Sequence, residues 1–393
     1  MKKLIMTATI FVMTMTSSVL ADIKMGIILG FTGPIESLTP AMAASAELAF
    51  KEASDSGSLL GGEKISIERA DSTCVDSAAA TTAAEGLVSG GVVAIMGADC
   101  SGVTGAIATN VAVPNGVVMI SPSATSPGLT DLNDNGYFFR TAPSDARGGQ
   151  VLADITKDRK VKSIAVTHTN NDYGKGLADV YVAAVKAHGI NVTAVTAHEE
   201  GKGDYGAEVA TLAAAGGDAL AVLGYLDQAG GMIIQGSLDS GAFDVFVLSD
   251  GMIGDSLTDR FGKDLNKSFG SLPGSTGKGA GKFAEVAKAG GIDSSGPYTG
   301  ESYDAAALIA LSMQAGGNAD RGTIQANVMN VANAPGTKIY PGELKKALDL
   351  LAKGKKVNYE GATGVEFTDV GEAFGSFLEK EIKGGKFKTK KQR

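Results

Sequence analysis

The sequence predicts an α/β protein built from two doubly wound, parallel-sheet lobes. Short apolar runs alternate with longer Ala-rich or amphipathic segments through the first part of the chain, and the same alternation begins again after residue 141. The connections are short, as in βα units whose strands form a parallel sheet. A length of 393 residues is typical of two domains and ample for a hydrophobic core.

The first series opens with a strand at Ile23–Leu29 and a turn at residues 30–34. Thr39 and Pro40 predict the N-cap and the first position of a helix that runs to about residue 54. The series continues with strands at residues 65–69, 92–96 and 117–120 and helices at residues 76–88 and 104–113.

The second series begins with Ser144, which predicts the N-cap of a helix that runs to about residue 156. It continues with strands at residues 163–167, 191–197, 219–223 and 245–248 and helices at residues 174–186, 205–215 and 228–240. No residue-level repeat at a fixed period relates the two series.

The segment at residues 270–275 is rich in glycine and serine and interrupts this alternation. Four predicted helices follow, at residues 278–289, 303–314, 323–331 and 343–353, and we expect them to cover the first lobe. Residues 365–382 then predict short strands. We therefore expect an N-terminal lobe at residues 22–141 plus 276–357 and a C-terminal lobe at residues 142–275 plus 358–393. Several crossings between lobes predict a hinge.

Residues 1–21 have the composition of a secretory signal. Lys2 and Lys3 precede an apolar run at residues 4–15, and small residues then lead to Ala21. This order predicts export to the periplasm with cleavage after Ala21. The alternative, a transmembrane anchor, requires a longer apolar run.

Charge and cysteine content narrow the class of protein. The formal net charge is −8, which opposes binding to nucleic acid or to an anionic membrane, and we read the basic end at residues 383–393 as a solvated tail. Cys74 and Cys100 are the two cysteines, and in an oxidising compartment they predict a structural disulfide. A reactive thiol pair would need a C-x-x-C spacing or a nearby base, and the sequence has neither around them.

The loops at residues 97–102 and 121–127 follow predicted strands, so they lie at carboxyl strand ends, where open α/β sheets bind ligands. They offer small hydroxyl side chains and backbone N–H groups, which suit holding a carboxylate. The sequence contains no G-x-S-x-G or phosphate-loop motif, and its three histidines lack the spacing of a zinc site. We expect no enzyme activity and no cofactor. His198, Glu199 and Glu200 read as a solvated loop.

Four segments make the chain resemble the periplasmic solute-binding proteins of branched-chain amino acid ABC transporters. They are Gly33-Pro34, residues 71–74 together with Cys100-Ser101, residues 121–125, and the Asp-Tyr-Gly-Lys-Gly sequence at residues 172–176. The resemblance covers essentially all of the chain after residue 21. It implies a type I periplasmic binding protein whose two lobes close on a ligand like a Venus flytrap.

The resemblance also implies a set of ligand-binding residues. On the first lobe, Ser101 and the triplet Ser123, Ala124 and Thr125 would hold the α-carboxylate and ammonium of an amino acid. On the second lobe the corresponding residues would be Tyr173, Tyr225 and Asp250, with Asp250 as the partner of the ammonium group. The alternatives are that the hydroxyls only shape turns, and that Asp250 is a cap or turn residue.

Three further positions bear on specificity. The family often has an aromatic residue where Leu38 stands, Asp99 occupies a position that is apolar in branched-chain binders, and Tyr298 would lie near the ligand side chain. A buried, unpaired Asp beside an aliphatic ligand is costly. Either Asp99 points away or the ligand has a polar or cationic side chain.

These features predict a monomeric periplasmic binding protein that captures an amino acid, branched-chain or aliphatic, and delivers it to a membrane ABC permease. A second hypothesis keeps the fold but changes the ligand to an amide, urea, an aromatic or aliphatic carboxylate, or a polar or cationic amino acid. A third, an exported enzyme, would need a catalytic base that the sequence does not show. A receptor role, in which a chemoreceptor binds the closed form, is also possible in principle, but no feature of the sequence indicates it.

Overall fold

The computed structural model describes residues 22–393, so the predicted signal and its cleavage site lie outside the described residues. Fourteen strands are assigned within this range: β1 Ile23–Leu29, β2 Ile65–Asp71, β3 Ala94–Gly97, β4 Val118–Ser121, β5 Phe138–Arg140, β6 Ser163–Thr169, β7 Asn191–His198, β8 Ala219–Leu223, β9 Phe246–Leu248, β10 Phe269–Pro273, β11 Thr337–Ile339, β12 Val357–Tyr359, β13 Phe377–Ile382 and β14 Phe387–Gln392.

Twelve α-helices connect and cover these strands: α1 Thr39–Asp55, α2 Ser77–Ser89, α3 Ser101–Ile107, α4 Asp145–Asp158, α5 Asp172–Ala187, α6 Gly206–Ala215, α7 Ala229–Ser240, α8 Asp255–Phe261, α9 Lys278–Ala289, α10 Thr299–Gly316, α11 Arg321–Ala332 and α12 Leu344–Leu351. In the described part of the chain no helix is both long and apolar enough to span a membrane.

The first lobe is a five-stranded parallel sheet in the order β2-β1-β3-β4-β5, with its covering helices. Met25, Ile27 and Ile28 of β1 are fully buried because helices cover both faces of the sheet. Helix α10, buried along almost its whole length, packs against α1, α11, β3 and β4. The late helices therefore return to the first sheet, as expected.

The second lobe is a seven-stranded sheet in the order β14-β13-β10-β9-β8-β6-β7, and α4, α5 and α6 pack against it. Strands β6 to β10 run parallel, whereas β13 and β14 add an antiparallel edge. The prediction of two doubly wound α/β lobes is confirmed. The exact residue limits of each lobe stay a prediction.

Several local predictions were wrong. The glycine-rich segment at residues 270–275 belongs largely to strand β10, because its small residues fit between two neighbouring strands: a Cβ on Gly270 would lie 2.2 Å from the Leu248 carbonyl oxygen. The side chains of the basic end are exposed to solvent, as predicted, but its backbone is not a free tail: it forms strand β14, which pairs with β13. Thr39 is the first helical residue of α1 and Leu38 the N-cap, since the Thr39 hydroxyl donates instead to the Gly30 carbonyl.

Both sheets have a point where neighbouring connections run in opposite directions. In the first sheet β1 lies between β2 and β3, and in the second β6 lies between β7 and β8. At such a switch point the carboxyl ends of the strands leave a crevice. Strands β1, β3 and β4 end within a residue of one another in register, at Leu29, Gly97 and Ser121. The loops predicted to bind a ligand therefore meet at one edge.

Candidate binding site

A cavity lies between the carboxyl strand ends of the two sheets and encloses about 340 Å³ of space, its mouth included. The part of this space that a water-sized sphere can enter is only about 20 Å³, so the walls pack closely against each other. The cavity brings together eight of the ten predicted site residues: Leu38, Asp99, Ser101, Ser123, Tyr173, Tyr225, Asp250 and Tyr298.

The first-lobe wall is built from loops fixed by backbone hydrogen bonds and a disulfide. Cys74 and Cys100 are bonded, as predicted, and Cys100 immediately precedes α3. The Ser101 hydroxyl accepts a hydrogen bond from the Ser126 N–H at 3.1 Å, and the Ser123 hydroxyl donates to the Asp99 carbonyl at 3.1 Å. Each hydroxyl keeps further hydrogen-bonding capacity, because a serine oxygen can donate once and accept twice.

Both oxygens of the Asp99 carboxylate accept hydrogen bonds from groups of the first lobe. Its Oδ2 accepts from the Gly30 N–H at 2.6 Å, and its Oδ1 accepts from the Ser72 hydroxyl and the Cys100 N–H, both at 3.0 Å. Burial raises the pKa of this group, while the three donors favour its charged form. The carboxylate is thus an anchor for three loops.

Ala124 and Thr125 are buried behind Ser123 and do not line the cavity. Both main-chain groups of Ala124 are engaged, because its N–H donates to the Ser121 hydroxyl and its carbonyl accepts from Arg140. The Thr125 hydroxyl has no hydrogen-bond partner among the described residues and lies near the Asp145 carboxylate without bonding to it in good geometry.

Arg140 holds the loop of Ala124 and Ser126 in place, and the sequence analysis did not predict this role. Its side chain is 1% exposed and donates to the carbonyls of Ala124 at 3.1 Å and Ser126 at 2.8 Å. The same guanidinium pairs with Glu372, whose segment crosses beside β5. The signal for it was weak, because an Arg at a strand end normally reads as a solvated residue.

The second-lobe wall consists of aromatic rings and a carboxylate. Tyr173, at the start of α5, and Tyr225, after β8, stack with ring centroids 5.2 Å apart. Asp250, after β9, is buried, and its Oδ1 accepts from the Tyr173 hydroxyl at 2.7 Å. Burial raises the pKa of Asp250, and the tyrosine hydroxyls oppose that rise. Asp250 begins a short 3-10 turn, Asp250–Met252, and its carboxylate bonds to tyrosine side chains.

Tyr298 joins the two walls. It precedes α10 of the first lobe, and its hydroxyl donates to Asp250 Oδ2 across the cleft. Its backbone φ is 59°, a left-handed conformation that is rare for a bulky residue. Such strain persists where the surrounding contacts hold it, and it concentrates at functional sites.

Asp145 is a second acidic group near Asp250 that sequence reasoning missed. It is buried at the start of α4, and its Oδ2 has no hydrogen-bond partner among the described residues. Burial, and then the neighbouring charge of Asp250, raise the pKa of Asp145 well above its usual value. An acidic residue after Ser144 reads as an ordinary first-turn residue, so the sequence contained no sign of this pair.

The reading of His198 and Glu200 as a solvated loop was wrong. His198 ends β7 and is buried, with its Nε2 3.8 Å from Glu200 Oε1. Burial raises the pKa of Glu200 to about 7 and lowers that of His198 to about 4. Both groups lie behind Tyr225, whose hydroxyl is unpartnered within residues 22–393, although the Asn171 amide lies nearby.

Ile35 and Met42 complete an apolar side of the cavity together with Leu38. Their spacing of three and four residues puts them on one face around the start of α1. Ile35 and Met42 were not predicted from the sequence, because Ile35 lies in the turn before α1 and the two residues therefore do not form a continuous helical pattern. Across residues 22–393 no group of three or more His, Cys, Asp or Glu side chains could hold a metal ion.

The cavity therefore offers three kinds of surface: hydroxyl donors on the first lobe, carboxylates on the second, and an apolar side near α1. A small molecule with an anionic group, a cationic group and an aliphatic part would meet a complementary surface at each. The tyrosines and serines are not arranged as a nucleophile with a positioned base.

A family model described as "Periplasmic binding protein" matches residues 22–342. Leu/Ile/Val-binding protein homolog 1 of Brucella melitensis is 31% identical over 306 residues, which are 76% of this chain and 80% of that protein. Homolog 3 of the same organism is 32% identical over 226 residues, so this chain spans 60% of that relative's length.

The crystal structure of a leucine binding protein from Thermotoga maritima superposes with a TM-score of 0.79. The superposition covers 94% of this chain and 98% of that chain at 21% identity, which shows a shared fold.

Proposed function

Because the chain belongs to the periplasmic binding protein family, we propose that it captures an α-amino acid with an aliphatic side chain between its lobes and delivers it to an ABC permease. The observation that carries the proposal is that buried Asp250 lines the same cavity as Ser101 and Ser123. Those groups match the ammonium and carboxylate of an amino acid.

The carboxylate end of the ligand would bind on the first lobe. Ser101 and Ser123 line the cavity there, on loops fixed by hydrogen bonds and the disulfide. Hydrogen bonds to an ionised group contribute about 1.5–3 kcal/mol each. Because the loops are already rigid, little ordering entropy opposes binding.

The ammonium end would bind at Asp250. Its two oxygens accept tyrosine hydroxyls, and each carboxylate oxygen can accept a second bond. Asp145 adds a nearby negative charge. A cation placed between the two carboxylates would relieve the repulsion that raises the pKa of Asp145. The positively charged amino group of the ligand would therefore be stabilised by both negative charges.

The side chain of the ligand would lie along Ile35, Leu38 and Met42. Asp99 borders the cavity, but its carboxylate is occupied by donors of its own lobe. That arrangement removes the cost of an unpaired charge beside an aliphatic group and favours an aliphatic over a cationic ligand.

We further propose a monomer that works in the periplasm after cleavage at Ala21, without catalysis and without a cofactor. The names of relatives refer to binding of leucine, isoleucine and valine, and the matching family is described as periplasmic binding proteins. The composition of residues 1–21 supports export.

The test is isothermal titration of the refolded chain without residues 1–21 against leucine, isoleucine, valine, alanine, arginine, glutamate and 4-methylpentanoate. We expect tight binding of the branched-chain amino acids and none of 4-methylpentanoate, which lacks the amino group. Asp250→Ala should weaken leucine binding by at least a hundredfold. Asp264→Ala, which removes an exposed carboxylate of the same lobe, is the control.

Equal binding of leucine by the wild type and Asp250→Ala would remove the ammonium role. Tight binding of 4-methylpentanoate would move the ligand to a carboxylic acid without an amino group, and binding of arginine alone would move it to a cationic amino acid.

A further inference from the structure

We propose that Asp227 is a positioning residue that latches the two lobes together without touching the ligand. Asp227 follows Tyr225 by two residues on the second lobe and does not line the cavity. The inference rests on the proposed two-lobe capture, but its experiment has a readout that does not depend on the ligand.

The contacts of Asp227 cross between the lobes. Its Oδ2 accepts a hydrogen bond from the Ser37 N–H of the first lobe at 2.9 Å, and its own N–H donates to the Pro34 carbonyl at 3.0 Å. Ser37 and Pro34 belong to the segment between β1 and α1. One residue of the second lobe thus binds two backbone groups of the first lobe.

Ser256 strengthens this arrangement. Its hydroxyl donates to Asp227 Oδ1 at 2.8 Å, so it is free to accept from the Ser37 hydroxyl, 3.3 Å away. Both oxygens of Asp227 are therefore used, one directly and one through Ser256, to hold the same residue of the first lobe. The carboxylate also lies before the amino end of α1, where a negative charge is favoured.

An apolar contact beside the latch depends on the same closure. Leu38, the neighbour of Ser37, and Leu226, the neighbour of Asp227, both lie 2.8 Å from the place where a Cβ on Gly254 would be. Leu38 lines the cavity while Ser37 does not. The latch therefore fixes the position of a cavity wall through its chain neighbour.

The latch bonds exist only when the lobes are closed, because their two halves belong to different lobes. In an open form the bonds from Asp227 and Ser256 to Ser37 and Pro34 would be replaced by bonds to water, while the bond from Ser256 to Asp227 would remain within the second lobe. A contact that favours the closed form changes the apparent affinity for every ligand by one common factor. A residue that touches the ligand changes affinity by a factor that differs between ligands.

The experiment compares the wild type with Asp227→Ala, Ser256→Ala and the control Asp264→Ala. Small-angle X-ray scattering of the ligand-free proteins measures lobe opening, and titration with leucine and with valine measures affinity. We expect Asp227→Ala to have a larger radius of gyration than the wild type. Its dissociation constants for both ligands should rise by the same factor, about tenfold, mainly through faster dissociation.

Ser256→Ala should shift both constants by about threefold, and Asp264→Ala by nothing. Identical scattering and affinity of Asp227→Ala and the wild type would overturn the latch, and so would unequal factors for leucine and valine. If the wild type binds neither amino acid, the proposed function fails, and the ligand-free scattering alone decides whether Asp227 is a latch.

Discussion

The two walls of the cavity each contain a buried aspartate, and the two aspartates differ in what holds them. Asp99 on the first lobe accepts from two backbone N–H groups and one hydroxyl of its own lobe. Asp250 on the second lobe accepts from two tyrosine side chains, one of which comes from the other lobe. A backbone N–H cannot move away from the carboxylate unless its loop changes conformation, whereas a tyrosine hydroxyl can turn to another acceptor.

This difference separates a structural carboxylate from one available to a ligand. Asp99 holds the Gly30, Ser72 and Cys100 segments together, so its charge is committed to the fold. Asp250 is held by groups that can move or share the acceptor, so it can receive an ammonium group. Burial alone does not distinguish the two, because both carboxylates are buried and burial raises both pKa values.

The largest effect should come from Asp99→Ala. Three buried donors would lose their acceptor, and we expect the free energy of unfolding to fall by about 3–4 kcal/mol. Asp250→Ala is the matched comparison and should lose less than about 1 kcal/mol, because its partners can find new acceptors. Urea unfolding followed by circular dichroism measures both. Equal losses would abolish the distinction between the walls.

Removing the disulfide would measure how much it contributes to the stability of the first-lobe loops. The Cys74→Ser, Cys100→Ser double variant opens a loop with a sequence separation of 26 residues, and the chain-entropy model predicts a loss of about 3 kcal/mol. The same urea experiment checks it, with the oxidised wild type as reference and the reduced wild type as a control that should match the double variant. An unchanged midpoint would mean that the Asp99 network alone fixes these loops.

Glu200, behind the second wall, should make stability depend on pH. The folded protein holds its proton up to a pKa of about 7, whereas the unfolded chain releases it near 4.5, so stability falls as pH rises between these values. Glu200→Gln should therefore be about 3 kcal/mol more stable than the wild type at pH 8 and nearly equal to it at pH 4.5.

The matched control is Glu199→Gln, which changes an exposed neighbour, and thermal unfolding across this range measures both variants. His198, with its pKa lowered to about 4, contributes in the opposite direction below pH 6.5 and is present in every variant. A stability difference for Glu200→Gln that does not change with pH would contradict the prediction.

The smallest and most specific effect is expected for Asp145→Asn. Removing one of two neighbouring buried charges should raise the free energy of unfolding by about 1 kcal/mol at pH 7.5. The same change should weaken leucine binding about fivefold, since the ammonium group loses a second negative charge. Asp179→Asn, an exposed change on α5, serves as control. A simultaneous gain in affinity would place Asp145 outside the ammonium site.

The outline of the fold could be predicted from local patterns. The β1 and β8 strands, the α9 helix and the Ser144 cap follow from apolar runs and capping residues within a few positions of each other. The sequence failed at β10, β11, β12 and β14, where strands are short, glycine-rich or basic. Those segments become strands because a neighbouring strand pairs with them, and local propensity does not contain that neighbour.

The residues that line or support the candidate site divide in the same way. Ser101, Ser123, Tyr173, Tyr225 and Asp250 were predicted because they stand at strand ends or in motifs of a recognisable family. Arg140 and Asp145 were not, since each acts on residues that are distant in sequence or in the other lobe.

The sequence by itself determined that this chain forms two βα lobes, that its two cysteines pair, and which loops meet at the sheet edges. Hydrophobic periodicity, capping and cysteine count are local or compositional, so one sequence suffices for them. Only the tertiary structure decided that Asp99 is satisfied while Asp250 faces a cavity, and that Asp227 reaches across to Ser37. Whether a buried charge is bonded depends on donors brought from other segments, and closure of the lobes brings them together.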